Sequence, residues 1–224
     1  MPLTIYGAPL SPFVRKVLIL AEHKGLPHEL VPAAPGRLPE GYLEISPLGK
    51  IPALRDGDFT VSDSSVIAQY LEEKYPERSL MPATPELRAR ARWFEEYADT
   101  VLAECTGLHL FFERIMKPVF MKQPTDEARV ERALTEKLPK ALDYLETQAP
   151  ASGFLFGDAL SLGDVSVVVQ FINARIAGYT IDAARWPLTA AWLARVEAHP
   201  AVANRLQLEA PVVAMVMAKK NAAS

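Results

Sequence analysis

Cysteine is nearly absent from this chain. One thiol, Cys105, occurs in 224 residues. That excludes an intrachain disulfide and a cysteine-rich zinc site. Charge of one sign is equally scarce, with 24 basic against 27 acidic residues and a formal net charge of -3. So small an imbalance leaves no electrostatic footprint for nucleic acid or an anionic membrane. No apolar run is long enough to span a bilayer. The first residues, Met1 to Phe13, lack the basic start and apolar stretch of a secretory leader. These absences lead us to expect a cytoplasmic enzyme or binding protein. The rest of the composition, half apolar and 23% charged, is that of an ordinary globular protein of one or two domains.

What is present falls into two halves. Leu3 to Tyr6 is a short apolar run ended by Gly7, Pro9 and Pro12, the pattern of a buried strand. Phe13 to Lys24 carries Val14, Val17, Leu18 and Ala21 at helical spacing, with Gly25 as a stop. His28 to Val31 fits a second strand, and residues 32–50 read as loop with at most a short helix. Ile51 to Arg55 and Phe59 to Val61, around Asp56-Gly57, read as a hairpin. Asp63 and Ser64 then cap a helix striped by Val66, Ile67, Tyr70 and Leu71 and stopped at Tyr75-Pro76. The order is βαβ followed by ββα, with the first two strands parallel and the hairpin antiparallel.

Pro76 to Pro85 holds three prolines and reads as a linker. Beyond it the pattern turns helical. Four stretches stand out: Glu86 to Met116, Asp126 to Leu145, Leu162 to Ile176 and Leu188 to Ala198. Pro118, Pro124, Pro150 and Pro187 act as breakers, giving an all-α bundle. The expected division is 1–78, a linker over 79–85, and 86–224.

Three short segments fall at the edges of the first sheet, where α/β folds place ligands. In Ser11-Pro12-Phe13, Pro12 suits the first helical position and Ser11 the N-cap. Ser11 is then either a plain cap or, with the helix N-terminus, a donor pair facing an anion. In Ser46 to Pro52, a cis Ile51-Pro52 bond would turn the Ile51 backbone outward to pair with an extended ligand; a rigid turn is the alternative. Lys50 beside it is a solvated charge by default. In Val61 to Ser65, Asp63 and Ser64 either cap the helix or hold the ammonium and carboxylate of an amino-acid head.

Together, in this order and spacing, these segments resemble the glutathione transferase superfamily over nearly the whole chain. The residues that carry the likeness are Ser11-Pro12-Phe13, Pro47 to Pro52, Asp63-Ser64, and Leu160-Ser161-Leu162-Gly163-Asp164-Val165-Ser166. The last is similar to the superfamily's capping box, with Gly163 in place of the more usual alanine. The resemblance implies a thioredoxin-like first domain that binds glutathione and a helical domain that supplies the electrophile pocket. Ser11 would stabilise the thiolate. Ile51 would pair with the cysteinyl backbone ahead of cis-Pro52, Asp63 and Ser64 would hold the γ-glutamyl head, and Lys50 would lie near the glycyl end. Serine at position 11 resembles the tau, phi, theta and zeta classes, although the serine-serine-cysteine motif of zeta isomerases is missing.

The implied reaction joins the glutathione thiolate to a small hydrophobic electrophile, with glutathione as co-substrate and no metal. Isomerisation or dehalogenation on the same thiolate, or a non-catalytic binding module, are the alternatives. Phe13, Leu108 and Phe112 are candidates for the apolar pocket, the last two on one helix face; core packing accounts for them equally well. His109 reads as a pocket or interface residue and Cys105 as a core thiol. The resemblance also implies a two-fold homodimer, to which Arg88, Arg90, Arg92, Trp93 and Tyr97 lend interface-like composition.

Overall fold

A computed structural model describes residues 2–34 and 36–222 of the chain. The expected domain ends at Met1 and Ser224 lie outside the described residues. Four strands, β1 (Leu3–Gly7), β2 (His28–Pro32), β3 (Ala53–Asp56) and β4 (Phe59–Ser62), form one sheet in the order β2-β1-β3-β4. β1 runs parallel to β2 and antiparallel to β3, and β4 closes the hairpin. The βαβ-ββα reading therefore holds, and with it the thioredoxin-like fold. β3 starts at Ala53 rather than Ile51, because Pro52 has no N–H to give a ladder; its carbonyl instead accepts from the Asp63 N–H at 3.3 Å.

Helix α1 (Pro12–Lys24) starts at the Ser11 cap and ends where Gly25 takes φ 71, its N–H reaching the Ala21 and Glu22 carbonyls. The apolar stripe of α1 packs as expected. Its opposite side is buried too, including Arg15 and Lys16, because helices of the second half cover it. The short α2 (Tyr42–Ile45) and α3 (Ser64–Lys74) complete the first half.

The second half is helical. α4 (Pro85–Tyr97) continues through Ala98–Met121 in the wider π register. The expected end at Met116, set by Pro118 as a breaker, is overrun. Proline forfeits one helix bond, but the Lys122 N–H still reaches back to the Lys117 carbonyl, and Ile115 and Val119 are buried. The stretch expected over Asp126 to Leu145 is α5 (Glu127–Arg132), a π turn (Ala133–Lys137) and α6 (Leu138–Gln148). α7 (Leu162–Ile176) has the expected bounds, and α8 (Pro187–Ala198) starts one residue earlier. A further helix, α9 (Pro200–Asn221), has no counterpart in the sequence reading. It buries Val202, Glu209 and Val216 and packs Leu206, Val212, Val213 and Met217 partly against the core, and it carries Pro211 inside, a residue that reads as a breaker.

The capping box at the start of α7 is present. The Ser161 side chain accepts from the Asp164 N–H, and the Asp164 carboxylate accepts from the Ser161 N–H at 2.9 Å. Asp164, itself buried, also takes the Leu155 N–H at 3.0 Å and the Trp192 indole N–H at 2.7 Å. A methyl group at Gly163 would meet Phe94 at 3.1 Å and Leu155 at 3.2 Å, contacts that those two side chains would have to relieve by a few tenths of an ångström. One expectation about α4 is corrected. Tyr97 is not an interface residue of the kind proposed: it is buried, donates to the Ala141 carbonyl at 3.2 Å and packs against Tyr144. Arg88 donates to the Pro82 carbonyl at 2.9 Å, holding the segment before its own helix.

Two predictions follow from this packing. Asp164→Ala removes the acceptor of the Ser161 N–H and hydroxyl, the Leu155 N–H and the Trp192 indole N–H; a buried donor left unpaired costs about 1–3 kcal/mol. Allowing for relaxation, denaturant unfolding should show a loss of about 3–5 kcal/mol; a loss under about 1 kcal/mol would contradict the role of Asp164. Cys105 is buried, and burial pushes its thiol up to about 11. A thiol-alkylating reagent at neutral pH should leave the native protein unmodified and react only once it unfolds. Rapid labelling of the folded protein, read by mass, would refute this.

Candidate active site

Sheet topology brings the three candidate segments together. β1 is antiparallel to β3, so the end of β1 lies beside the start of β3, with Tyr6 opposite Ala53. β4 returns to the same end, with Ala53 opposite Ser62. The loop after β1 carries Ser11, the residues before β3 are Lys50 to Pro52, and the residues after β4 are Asp63 and Ser64. All three segments converge at one edge of the sheet.

Ser11 is half-buried and extended, and its N–H binds the Ala8 carbonyl. Its Oγ accepts the Val14 N–H at 3.4 Å. Among the described residues that hydroxyl has no acceptor for its own hydrogen. It is therefore free to donate, at a helix N-terminus that favours negative charge.

The Lys50 carbonyl is fixed by two donors, the Tyr42 hydroxyl at 2.7 Å and the Ser46 hydroxyl at 2.8 Å. Gly49 with φ 63 makes the turn that leads into it. The Ile51-Pro52 bond is cis. Among the described residues no hydrogen bond engages the Ile51 N–H or carbonyl, so both remain available to an extended peptide. The Lys50 ammonium is exposed and has no ion-pair partner among the described residues.

Asp63 has φ 81, in a region costly for a residue with a side chain. One of its oxygens accepts the Ser65 N–H at 2.9 Å and the Val66 N–H at 3.2 Å. The other is unengaged among the described residues, and Asp63 is exposed. Ser64 is buried at the first position of α3, and among the described residues its hydroxyl has no partner. The edge thus offers a hydroxyl donor, a free peptide group, a helix N-terminus and a carboxylate. That set can bind an extended peptide bearing an amino-acid head and a thiol.

The apolar pocket candidates are less concentrated. Phe13 follows Ser11 on α1 and is half-buried; Leu108 is exposed and Phe112 half-buried on the π segment. Neither of the two cavities described includes any of the three. One, of about 300 Å³, is lined by His109, Asp126, Arg129, Arg132 and Lys137 and is therefore mostly polar. Arg129 donates to its Nδ1 at 2.7 Å, and its Nε2 faces Glu104 at 3.3 Å. The other, of about 330 Å³, lies between α3 and α4 and includes Val66, Met81 and Arg92.

Sequence reasoning missed a set of buried charges beside the site. The Lys16 ammonium, wholly out of water, binds Glu95 at 2.8 Å, Asp99 at 2.6 Å and the Ser65 hydroxyl at 3.3 Å. Ser65 in turn donates to Asp99 at 3.1 Å. Burial raises the Asp99 carboxyl above its ordinary range, and the Lys16 charge opposes that rise. The available signal was Arg15-Lys16 within the apolar run from Phe13 to Ala21, which reads as a solvated face unless a second layer is known to cover it.

Residues 5–79 match the glutathione S-transferase N-terminal domain model, and residues 127–195 match the C-terminal domain model of the same family. Glutathione S-transferase 3 of Zea mays is 33% identical over 208 residues, covering 89% of this chain and 91% of its own length. Glutathione S-transferase theta-1 of Homo sapiens is 33% identical over 203 residues, covering 88% and 83%. Among solved structures, the apo form of human glutathione S-transferase T1-1 superposes with a TM-score of 0.81 at 29% identity, covering 94% of this chain and 89% of its own. A glutathione S-transferase from Rhodospirillum rubrum does so at 0.81 and 27%, covering 91% of each. Sheet topology, the converging edge and these matches agree: the chain belongs to the glutathione S-transferase superfamily.

Proposed function

We propose that this chain is a glutathione transferase that joins the glutathione thiolate to small hydrophobic electrophiles, with the Ser11 hydroxyl donating a hydrogen bond to that thiolate. The observation that carries the reading is the Ser11 hydroxyl. It accepts from the helix and keeps its own hydrogen for a ligand. A free thiol ionises near ~8.5, so little thiolate exists at neutral pH. Lowering that by about two units requires about 2.7 kcal/mol of preference for the anion. A charge-assisted bond from a hydroxyl supplies about 1.5–3 kcal/mol and a helix N-terminus about 0.3–1 kcal/mol more. The two suffice without a general base, so Ser11 acts as a donor and not as a nucleophile.

In this reading Ile51, ahead of Pro52, pairs with the cysteinyl backbone, and Lys50 faces the glycyl carboxylate. Asp63 takes the γ-glutamyl ammonium on its free oxygen, while Ser64 and the α3 N-terminus take the carboxylate. Residues 1–78 form the glutathione-binding domain, 79–85 the linker, and 86–224 the helical domain. The electrophile pocket draws on Phe13, Leu108 and Phe112. The family likeness also supports a homodimer; exposed Val66 on α3 and Trp93 on α4 are apolar groups such an interface would cover.

Ser11→Ala should lower the turnover number by about 10- to 100-fold, at ~1.4 kcal/mol per tenfold, and move ionisation of the bound thiol to higher pH. Glutathione affinity should stay nearly intact. Full turnover with an unshifted thiol titration, followed in the ultraviolet, would reduce Ser11 to a helix cap. Asp63→Ala should act differently, raising the Michaelis constant for glutathione because the bound ammonium loses its charged partner. An unchanged constant would remove Asp63 from the site.

A further inference from the structure

Arg15 lies one turn after Ser11 on α1, and its side chain has no exposed surface. Its guanidinium binds Glu209 of α9 through Nε at 2.8 Å and through a terminal nitrogen at 2.7 Å. The other terminal nitrogen donates to the Asn173 side-chain oxygen at 2.7 Å and to the Val169 carbonyl at 3.4 Å, both on α7. Asn173, itself buried, uses its amide nitrogen to donate to the Leu10 carbonyl at 3.0 Å. The orientation of that amide is fixed, since Arg15 can only donate and a carbonyl can only accept.

One side chain of the helical half therefore touches the chain on both sides of Ser11. Before it stands the Leu10 carbonyl. After it stands Arg15, whose own N–H binds the Ser11 carbonyl at 2.9 Å. Glu209 is anchored in turn, since Arg205 of α9 faces it at 3.5 Å and also binds Glu22 of α1 at 2.9 Å. A buried ion pair is a poor device for stability alone, because apolar groups of the same volume commonly do as well. What this one supplies is a fixed direction for the loop that aims the Ser11 hydroxyl.

We propose that Asn173, held by the Arg15–Glu209 pair, is a positioning residue for Ser11, so that α7 and α9 set the hydroxyl direction from outside the glutathione-binding half. The inference rests on the Ser11 hydroxyl donating a hydrogen bond to the glutathione thiolate.

The test is Asn173→Asp, alone and combined with Ser11→Ala. Aspartate keeps the acceptor for Arg15 and removes the donor to Leu10. The single variant should lower the turnover number about tenfold and shift the bound thiol's ionisation to higher pH. The Michaelis constant for glutathione should change less than about twofold. Combined with Ser11→Ala it should add nothing, since a residue acting only through another is non-additive with it. An equal further loss in the double variant would show that Asn173 acts elsewhere and would overturn the proposal. Normal turnover and titration in Asn173→Asp, with Ser11→Ala impaired, would overturn it while leaving the transferase reading intact. A Ser11→Ala variant with full activity would take down both. If Asn173→Asp does not fold, Glu209→Gln keeps the shape and weakens the pair. It should shift the thiol titration in the same direction by a smaller amount, and an unshifted titration there would overturn the proposal.

Discussion

A cation with no water around it must be given oxygen atoms by the protein. Arg15 and Lys16, side by side on helix α1, are two such cations, both fully buried. They point to different partners. Arg15 finds Glu209, Asn173 and a carbonyl on α7 and α9; Lys16 finds Glu95 on α4, Asp99 on the π segment that follows it and Ser65 on α3. Isolated, either charge would be prohibitively costly to bury, so the first half of the chain is committed to the helices that satisfy them. The contact between the two halves is in this sense built around α1.

That commitment reaches the site. Ser11 caps the same helix, and Ser65 follows Asp63 and Ser64 directly. Each buried cation is therefore coupled to one of the segments that converge at the sheet edge. The sheet brings the segments to one place through strand order and register. The charge networks then restrain how the loop after β1 and the start of α3 can move within that place. Pre-organised donors gain most where little reorganisation is needed at the moment of reaction.

Much of this was legible residue by residue. Gly25 and the Ser11-Pro12 pair bounded α1, and Ser161 with Asp164 marked the start of α7, because caps are local and depend on a few atoms close in sequence. The stop at Pro118 was misread because a local rule was outweighed by burial of Ile115 and Val119 further along the same helix. Tyr97 was misread because an aromatic among arginines resembles a surface, whereas its ring packs on Tyr144 and its hydroxyl reaches α6.

The sequence by itself determined the element types of the first half and the capping box, and it singled out the candidate residues Ser11, Lys50, Ile51, Pro52, Asp63 and Ser64. Each rests on short-range chemistry: turn residues, caps, alternation and a proline that donates nothing. Tertiary structure alone decided that, among the described residues, the Ile51 peptide group and one Asp63 oxygen are unengaged, and that Arg15 and Lys16 are interior. It alone revealed α9 as well, since that helix is held in part by Glu209 against Arg15, 194 residues apart in the chain. The partner that makes a charge buriable is named only when the chain has folded.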